Sequence, residues 1–367
     1  MMRRGHSVIL LASLVLQAPV GRTLTVPSHV RLILQLDPRK GGALQPGALD
    51  TTRRVLQRRL EKFGAQDVTL QPAPDDRLVI EASGITELGR LEQLLTTVGA
   101  LEIRVTDMKN RFRAVLPDID GALRRAGVRA PSPARAGGLA PPFLQRNKAS
   151  EAAPLSSLLL PGQLPGEYLV LETQALGVEQ LLARPEVQRG IPSGIELKWG
   201  TNVRVGPGDR YRTLYAVEQQ PILRGDEIKS ATALRDFATS DAVVNFELSE
   251  QAGRSFERET RRHIDDYLAI ILDGRVQGQP PVVKSPIGRR GQIELGEKRL
   301  AEAQDLAVIL TAGSLPAPLV VVDEQVLGPS PSARMVEPWQ IWAAVAAVVV
   351  WAVVLVVVAR GGLRRSR

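Results

Sequence analysis

An uncharged apolar run near the end of the chain restricts the fold more than any other feature of the sequence. Residues Pro338 to Ala359 contain no Asp, Glu, Lys, Arg or His and are rich in valine, alanine and tryptophan. At a rise of about 1.5 Å per residue, a helix of this length reaches roughly 30 Å, the thickness of a bilayer's hydrocarbon core. A buried globular helix is the alternative, but such a helix is seldom apolar on every face over this length. We therefore predict a transmembrane helix at 338–359.

The flanks of this run predict its orientation. Trp339 and Trp342 stand where an aromatic belt meets the membrane interface, and Arg360 opens the basic tail RGGLRRSR at 360–367. Basic residues favour the cytoplasmic side, so we expect a cytoplasmic tail and an extracytoplasmic main body. The expected location is the cytoplasmic membrane.

The N-terminal segment 1–23 predicts export as well. Arg3 and Arg4 precede a stretch from Gly5 to Gly21 without acidic or basic residues. Its length is near the lower limit for a membrane span, and it also fits a secretory signal peptide. An uncleaved anchor and a cleaved signal both remain open, and either one exports the body of the chain.

The charge distribution argues against nucleic-acid binding. The net charge is +8, but much of the excess lies at the two ends of the chain. A nucleic-acid-binding domain would instead concentrate lysine and arginine on one folded face. The sequence contains no Cys, which excludes a disulfide framework and a thiol nucleophile.

Residues 30–107 alternate between strand-like and helix-like patterns. The strands are RLILQL at 31–36, two runs around Val68 and Leu78, and Ala100 to Thr106; the helices are Pro46 to Phe63 and Glu87 to Val98. The order βαββαβ predicts a ferredoxin-like base. The fold class expected for the whole chain is α+β, with this base, a second α/β head domain and the C-terminal transmembrane helix.

Residues 108–166 are rich in Pro, Ala and Gly, which predicts a flexible linker. Residues 167–330 regain a regular pattern and are expected to form the head domain with a return strand. There VVNFEL at 243–248 reads as a strand, and Ser249 is placed to cap the next helix. Asp273-Gly274 predicts a hairpin within 268–278, and a further helix is predicted from Glu297 to Ala312.

Several pieces of this region also occur together in one known family. They are LSEQAGRSFERETRR, LAIILDGRV, GQI, EAQDLAVILTAGSLPAPL and VDEQVLGPS, in this order. The chain resembles the exported base and head of SecD, the membrane subunit that assists the Sec protein-secretion channel. The multi-helix membrane domain that comes after this region in the family has no counterpart here, and 338–359 offers no titratable group for a proton relay. We therefore do not expect this chain alone to act as a proton-driven motor.

The resemblance implies an accessory factor of protein translocation whose partners are Sec translocon components and translocating polypeptide. Sheet edges of the head, including the hairpin from Leu268 to Val283, are expected to hold an extended chain by strand addition. The candidate polypeptide-binding residues are Leu268, Ile270, Leu272, Val276 and Val282. The alternatives are an extracytoplasmic scaffold no longer coupled to secretion and, less favoured, a membrane-tethered enzyme.

No catalytic site, cofactor site or metal site is predicted, and we expect no enzymatic activity. His263 lies beside Asp265 and Asp266, which could form a His–Asp pair. We take both Asp residues to lie off the face of the histidine on a helix, so a solvated helix end is the preferred interpretation.

Overall fold

The structure is a computed structural model that describes residues 23–37, 47–129, 153–206, 208–236, 241–294 and 300–329. The predicted N-terminal segment up to residue 22, the span 338–359 and the tail 360–367 lie outside these residues, as do Trp339, Trp342 and Arg360. None of the helices that the structure describes is both long enough and apolar enough to cross a membrane.

The described residues form seven α-helices and fifteen strands in a mixed α+β fold, as the sequence predicts. The helices are α1 (Ala48–Phe63), α2 (Leu88–Thr96), α3 (Arg111–Arg125), α4 (Ala175–Leu182), α5 (Pro185–Gly190), α6 (Glu250–Arg262) and α7 (Leu300–Ala312). The strands are β1 (Thr23–Leu36), β2 (Gln66–Ala73), β3 (Arg77–Glu87), β4 (Leu101–Val105), β5 (Leu160–Pro161), β6 (Glu167–Leu171), β7 (Ile195–Val205), β8 (Arg210–Glu218), β9 (Leu223–Arg224), β10 (Ile228–Arg235), β11 (Ala242–Leu248), β12 (Leu268–Leu272), β13 (Arg275–Val276), β14 (Arg290–Glu294) and β15 (Leu319–Pro329).

A four-stranded antiparallel sheet in the order β15-β1-β3-β2 joins the two ends of the described chain. Alternate residues of β1, among them Leu32 and Leu34, pack against Leu56 and Leu60 of α1. Each buried leucine stabilises the fold by about 1.5–3 kcal/mol relative to an exposed one. We call this sheet with α1 and α2 the base unit.

The prediction that Ala100 to Thr106 is the last strand of the base is wrong. This segment is β4, which pairs with β12 and β9 in a different sheet, and β15 takes the place beside β1. The chain leaves the base unit at Gly99, whose φ of 83° suits glycine. Alternation in the sequence predicts that a strand exists but not which strand it pairs with, and this is why the assignment failed.

The rest of the described chain, residues 101–312, forms what we call the head unit. It contains an eight-stranded sheet in the order β5-β6-β8-β7-β13-β12-β4-β9 and a three-stranded sheet in the order β10-β11-β14. Phe246 of β11, Phe256 of α6, and Leu306 and Leu310 of α7 share one core with residues of β4 and β12.

The local signals in this region are confirmed. The Ser249 hydroxyl accepts a hydrogen bond from Ala252 N at 3.2 Å and caps α6. Asp273 and Gly274 both have positive φ and join β12 to β13.

The predicted flexible linker is wrong wherever the structure describes it; residues 130–152 lie outside the described part. Residues 111–125 form α3, which buries Phe112 and Leu123. Leu155 and Leu158 enter the same core, which also holds residues of α4 and α5. The frequent Pro, Ala and Gly concealed the helical spacing of the apolar residues in α3.

Candidate functional site

The hairpin expected to bind extended polypeptide lies inside the head unit. Leu268, Ile270 and Val276 are buried, and Leu272 is half-buried. β12 is paired on both sides, with β13 and with β4. Half-buried Val282 is also engaged, through a bridge with Tyr267. The hairpin therefore offers no free edge, and this expectation needs correction. An uninterrupted apolar strand such as LAIIL is typical of a strand covered on both faces.

An open edge lies instead on the base unit. β15 is the outer strand of its sheet, and within the described residues no strand pairs with its outer side. Val320, Val321 and Val322 remain 44%, 36% and 46% exposed. The opposite edge strand, β2, is mostly polar and carries Pro72, which protects an edge because it lacks an N–H donor. Of the two edges of this sheet, β15 is therefore the one suited to pairing with another strand.

The two ends of the described chain meet at one end of the base sheet. Ser28 of β1 lies opposite Pro329 of β15 in the antiparallel pair. The apolar N-terminal segment precedes β1 in the sequence, and the apolar run 338–359 comes after β15. Both predicted membrane segments are thus connected to the same end of the sheet.

A buried arginine lies where the base unit meets the head unit. Arg59 of α1 has no exposed surface. Its Nη1 donates to the carbonyls of Leu94, at 2.8 Å, and Thr97. Its Nη2 donates to the carbonyls of Val98, at 3.0 Å, and Gly313, at 3.1 Å. Burial lowers the pKa of Arg59 to about 10, against the opposing influence of Asp273, so the side chain stays charged at neutral pH.

The sequence interpretation did not predict that Arg59 is buried. The spacing contained a contrary signal, because Arg59 stands four positions after Val55 and four before Phe63, both apolar. Residues at this spacing share a helix face, so Arg59 belongs with the buried residues of α1.

A second arginine also joins the two units. Arg90 of α2 forms an ion pair with Asp305 of α7, with Nη2 2.8 Å from Oδ1 and Nε donating to both carboxylate oxygens at 2.9 Å. The hydrogen bond to Asp305 is the main cause that raises the pKa of Arg90. Unlike Arg59, Arg90 is partly exposed, at 24%.

Two buried acids of the head unit are engaged in structural contacts. The Glu167 carboxylate accepts hydrogen bonds from Tyr215, Arg204 and the backbone N–H of Gln163. The Asp120 carboxylate accepts bonds from the N–H groups of Leu155 and Ser156. These acids hold loops in place and present no free group for catalysis.

The structure brings together a histidine and an aspartate that the sequence interpretation kept apart. His263 Nδ1 lies 2.7 Å from Asp266 Oδ2. Asp266 stands three positions after His263, a spacing that brings side chains together on a helix as well, so the interpretation that placed the two on different faces is wrong for this pair. No group of three or more His, Asp or Glu within the described residues is arranged to hold a metal ion.

A cavity of about 540 Å³ opens beside β7 in the head unit. Leu182, Ile191, Leu197 and Trp199 provide apolar walls, and the lining also includes the ion pair of Lys198 with Glu196.

Comparisons with known proteins find matches to SecD and SecDF. Residues 203–317 match the family described as SecDF, P1 head subdomain. The chain is 28% identical over 299 residues to protein translocase subunit SecD of Rhodothermus marinus, which covers 77% of this chain and 47% of that protein. It is 38% identical over 162 residues to SecD of Aquifex aeolicus, covering 44% of this chain and 32% of that protein. A crystal structure of SecDF in super-membrane-facing form gives a TM-score of 0.48 at 22% identity, over 85% of this chain and 32% of that one.

These matches confirm the resemblance to SecD that the sequence predicts. The chain is SecD-like, and the match to the R. marinus protein extends over most of it. This chain spans less than half the length of either curated relative, 47% of the R. marinus protein and 32% of the A. aeolicus protein.

Proposed function

We propose that this chain is an accessory factor of protein translocation across the cytoplasmic membrane, acting through an extracytoplasmic body that engages polypeptide or Sec partners. The observation that carries the proposal is the similarity to protein translocase subunit SecD over 77% of the chain. The role is mechanical rather than enzymatic.

We infer that the body is attached to the membrane through the base unit. The pairing of Ser28 with Pro329 supports this arrangement, because both predicted apolar segments continue from the same end of the sheet. The base would then stand next to the bilayer, with the head unit carried above it and the tail 360–367 in the cytoplasm. In this arrangement the base unit is a ferredoxin-like βαββαβ unit whose last strand, β15, arrives only after the head unit has been inserted.

We further propose that the outer edge of β15 binds extended polypeptide by strand addition. An edge strand can share its backbone hydrogen-bonding groups with an incoming chain, and exposed valines provide apolar contacts for alternate side chains. The exposed run Val320 to Val322 meets both requirements, whereas the buried hairpin meets neither.

Site-specific photo-crosslinking tests this function in the full chain in its native membrane. A photoreactive residue replaces Val320, and a matched one replaces buried Val276, while a secretory polypeptide is arrested during export. We expect capture of the arrested polypeptide from position 320 and not from 276. Capture from neither position, with the protein present and folded, would count against polypeptide binding at this edge.

Co-purification after mild solubilisation tests the broader role separately. Recovery of Sec components with the wild-type chain is the expected result. Their absence would favour a scaffold that has left secretion.

A further inference from the structure

The chain passes between the base unit and the head unit at two connections. The first, Thr97 to Ala100, links α2 to β4, and the second, Gly313 to Pro318, links α7 to β15. The two connections touch each other, since Leu315 N donates to Val98 O at 2.8 Å. Any change in the orientation of the two units requires these connections to move.

Arg59 reaches both connections with one side chain. Its Nη1 bonds the carbonyl of Thr97 in the first connection, and its Nη2 bonds Val98 of the first and Gly313 of the second. The planar guanidinium presents its donors in a rigid fork, so the separation of the bonded carbonyls is set by its geometry.

Burying the charged guanidinium of Arg59 between the two units carries a desolvation cost that another interaction must offset. All four acceptors are neutral carbonyls, and among the described residues no carboxylate forms an ion pair with Arg59. Its Nε finds no hydrogen-bond partner within the same set of residues. An apolar side chain would fill the core without this desolvation cost, so the cation serves the connections rather than core packing.

The head unit supplies a matching anion on the other side of the first connection. Asp273 Oδ1, in the turn between β12 and β13, accepts hydrogen bonds from Gly99 N and Ala100 N, both at 2.8 Å. Arg59 thus binds the carbonyls of this segment and Asp273 binds its next two amides. The segment is held between a cation of the base unit and an anion of the head unit.

We propose that Arg59 is a positioning residue that fixes the orientation of the base unit relative to the head unit. The guanidinium ties the two connections together, and Asp273 holds the first of them from the opposite side. This device is independent of the protein's binding partner, so it stands or falls separately from the proposed function.

Distance measurements between nitroxide labels test this inference in the full chain. The sequence contains no Cys, so Gln71→Cys on β2 and Arg258→Cys on α6 place one label on each unit at exposed positions. We expect a single narrow distance distribution in the otherwise wild-type chain. Arg59→Met should broaden it or add a second population.

Two further variants keep the test decisive. Arg59→Lys retains the charge but lacks the rigid fork, so it should also broaden the distance distribution. If Arg59→Met does not fold, Arg59→Lys decides the outcome alone. Arg90→Met removes the ion pair with Asp305, which joins the same two units away from the connections, and should leave the distribution narrow. The inference is overturned if the Arg59 variant that folds stays as narrow as wild type. It is equally overturned if Arg90→Met broadens the distribution as much.

Discussion

Arg59 Nη2 donates a hydrogen bond to the carbonyl of Gly313 across 254 positions of sequence, at 3.1 Å. Replacing Arg59 with Met would take this donor from four carbonyls, one in a buried and three in partly buried hydrogen bonds, while removing a buried charge; of the four, the Val98 carbonyl keeps its bond from Leu315 N. We expect a net loss of about 2–4 kcal/mol in the free energy of unfolding, because unsatisfied carbonyls cost more than the charge removal returns. Urea unfolding measures this loss. Arg58→Met on the exposed face of α1 is the matched control and should change stability by less than about 0.5 kcal/mol. Equal effects at both positions would refute the role of the Arg59 hydrogen bonds.

Gly99→Ala tests how tightly the first connection is packed. Gly99 has a φ of 83°, and an added Cβ would overlap Ile309 Cγ2 and lie 3.0 Å from Arg59 Nη2. We expect a loss of about 2–4 kcal/mol, from the combined cost of strained backbone and steric overlap. Gly127→Ala is the control, since Gly127 has a φ of 77° with nothing within 4 Å of the added Cβ. It should show the backbone cost alone, so thermal unfolding should rank Gly99→Ala as clearly worse. A similar loss for both would show that the connection has room to spare.

For β4 and β15 the sequence predicted that strands exist but not which strands they pair with. β4 was recognised as a strand because its alternating apolar residues are a local property, whereas β15 was expected only as a return strand of the head region. Their partners were not predicted correctly, since β15 reaches β1 only after the whole head unit has intervened. The prediction that the hairpin binds polypeptide was wrong for the same reason. The residues around Leu268 and Val276 have the composition of strands, but only the neighbouring strands determine whether an edge is open.

Phe112→Ala tests the correction that places residues after 108 in a folded core. Phe112 is fully buried and packs edge-on against Tyr168, with ring centroids 5.5 Å apart. Truncation should cost about 3–5 kcal/mol, the usual range for a buried phenylalanine. Leu176→Ala, at a side chain 67% exposed, should be nearly neutral. Chemical denaturation compares the two. A negligible loss at Phe112 would restore the flexible-linker interpretation.

Glu196 predicts a pH-dependent contribution to stability. Burial alone would raise the pKa of this carboxyl, but hydrogen bonds from Lys198 and Arg104 outweigh it and lower the pKa. A carboxyl whose pKa is lower in the folded state stabilises the protein above its unfolded-state pKa and loses that contribution as pH falls through the folded-state value. We therefore expect Glu196→Gln to cost about 1 kcal/mol at pH 7, a modest value because the side chain is 34% exposed. The difference from wild type should shrink as the pH falls below about 4.3, the usual range for a glutamate.

A matched substitution separates this effect from general charge loss. Glu250→Gln breaks an ion pair with Arg254 on the exposed surface of α6, where the carboxylate is 75% exposed. It should have little effect at any pH. A Glu196→Gln difference that stayed constant from pH 7 to pH 3 would show that the carboxylate charge does not contribute.

The final prediction concerns the open edge of the base sheet. A lysine at an exposed edge position opposes pairing with an incoming strand, because its charge would have to be desolvated in the new ladder. We expect Val320→Lys to reduce the crosslinking of arrested polypeptide from position 322 by several-fold. It should leave the unfolding transition unchanged, because Val320 is 44% exposed. Thr69→Lys on β2 places the same charge at an exposed position on the opposite edge and should leave the yield unaltered. An equal reduction by both variants would point to a general charge effect, and no reduction by Val320→Lys would remove β15 as the binding edge.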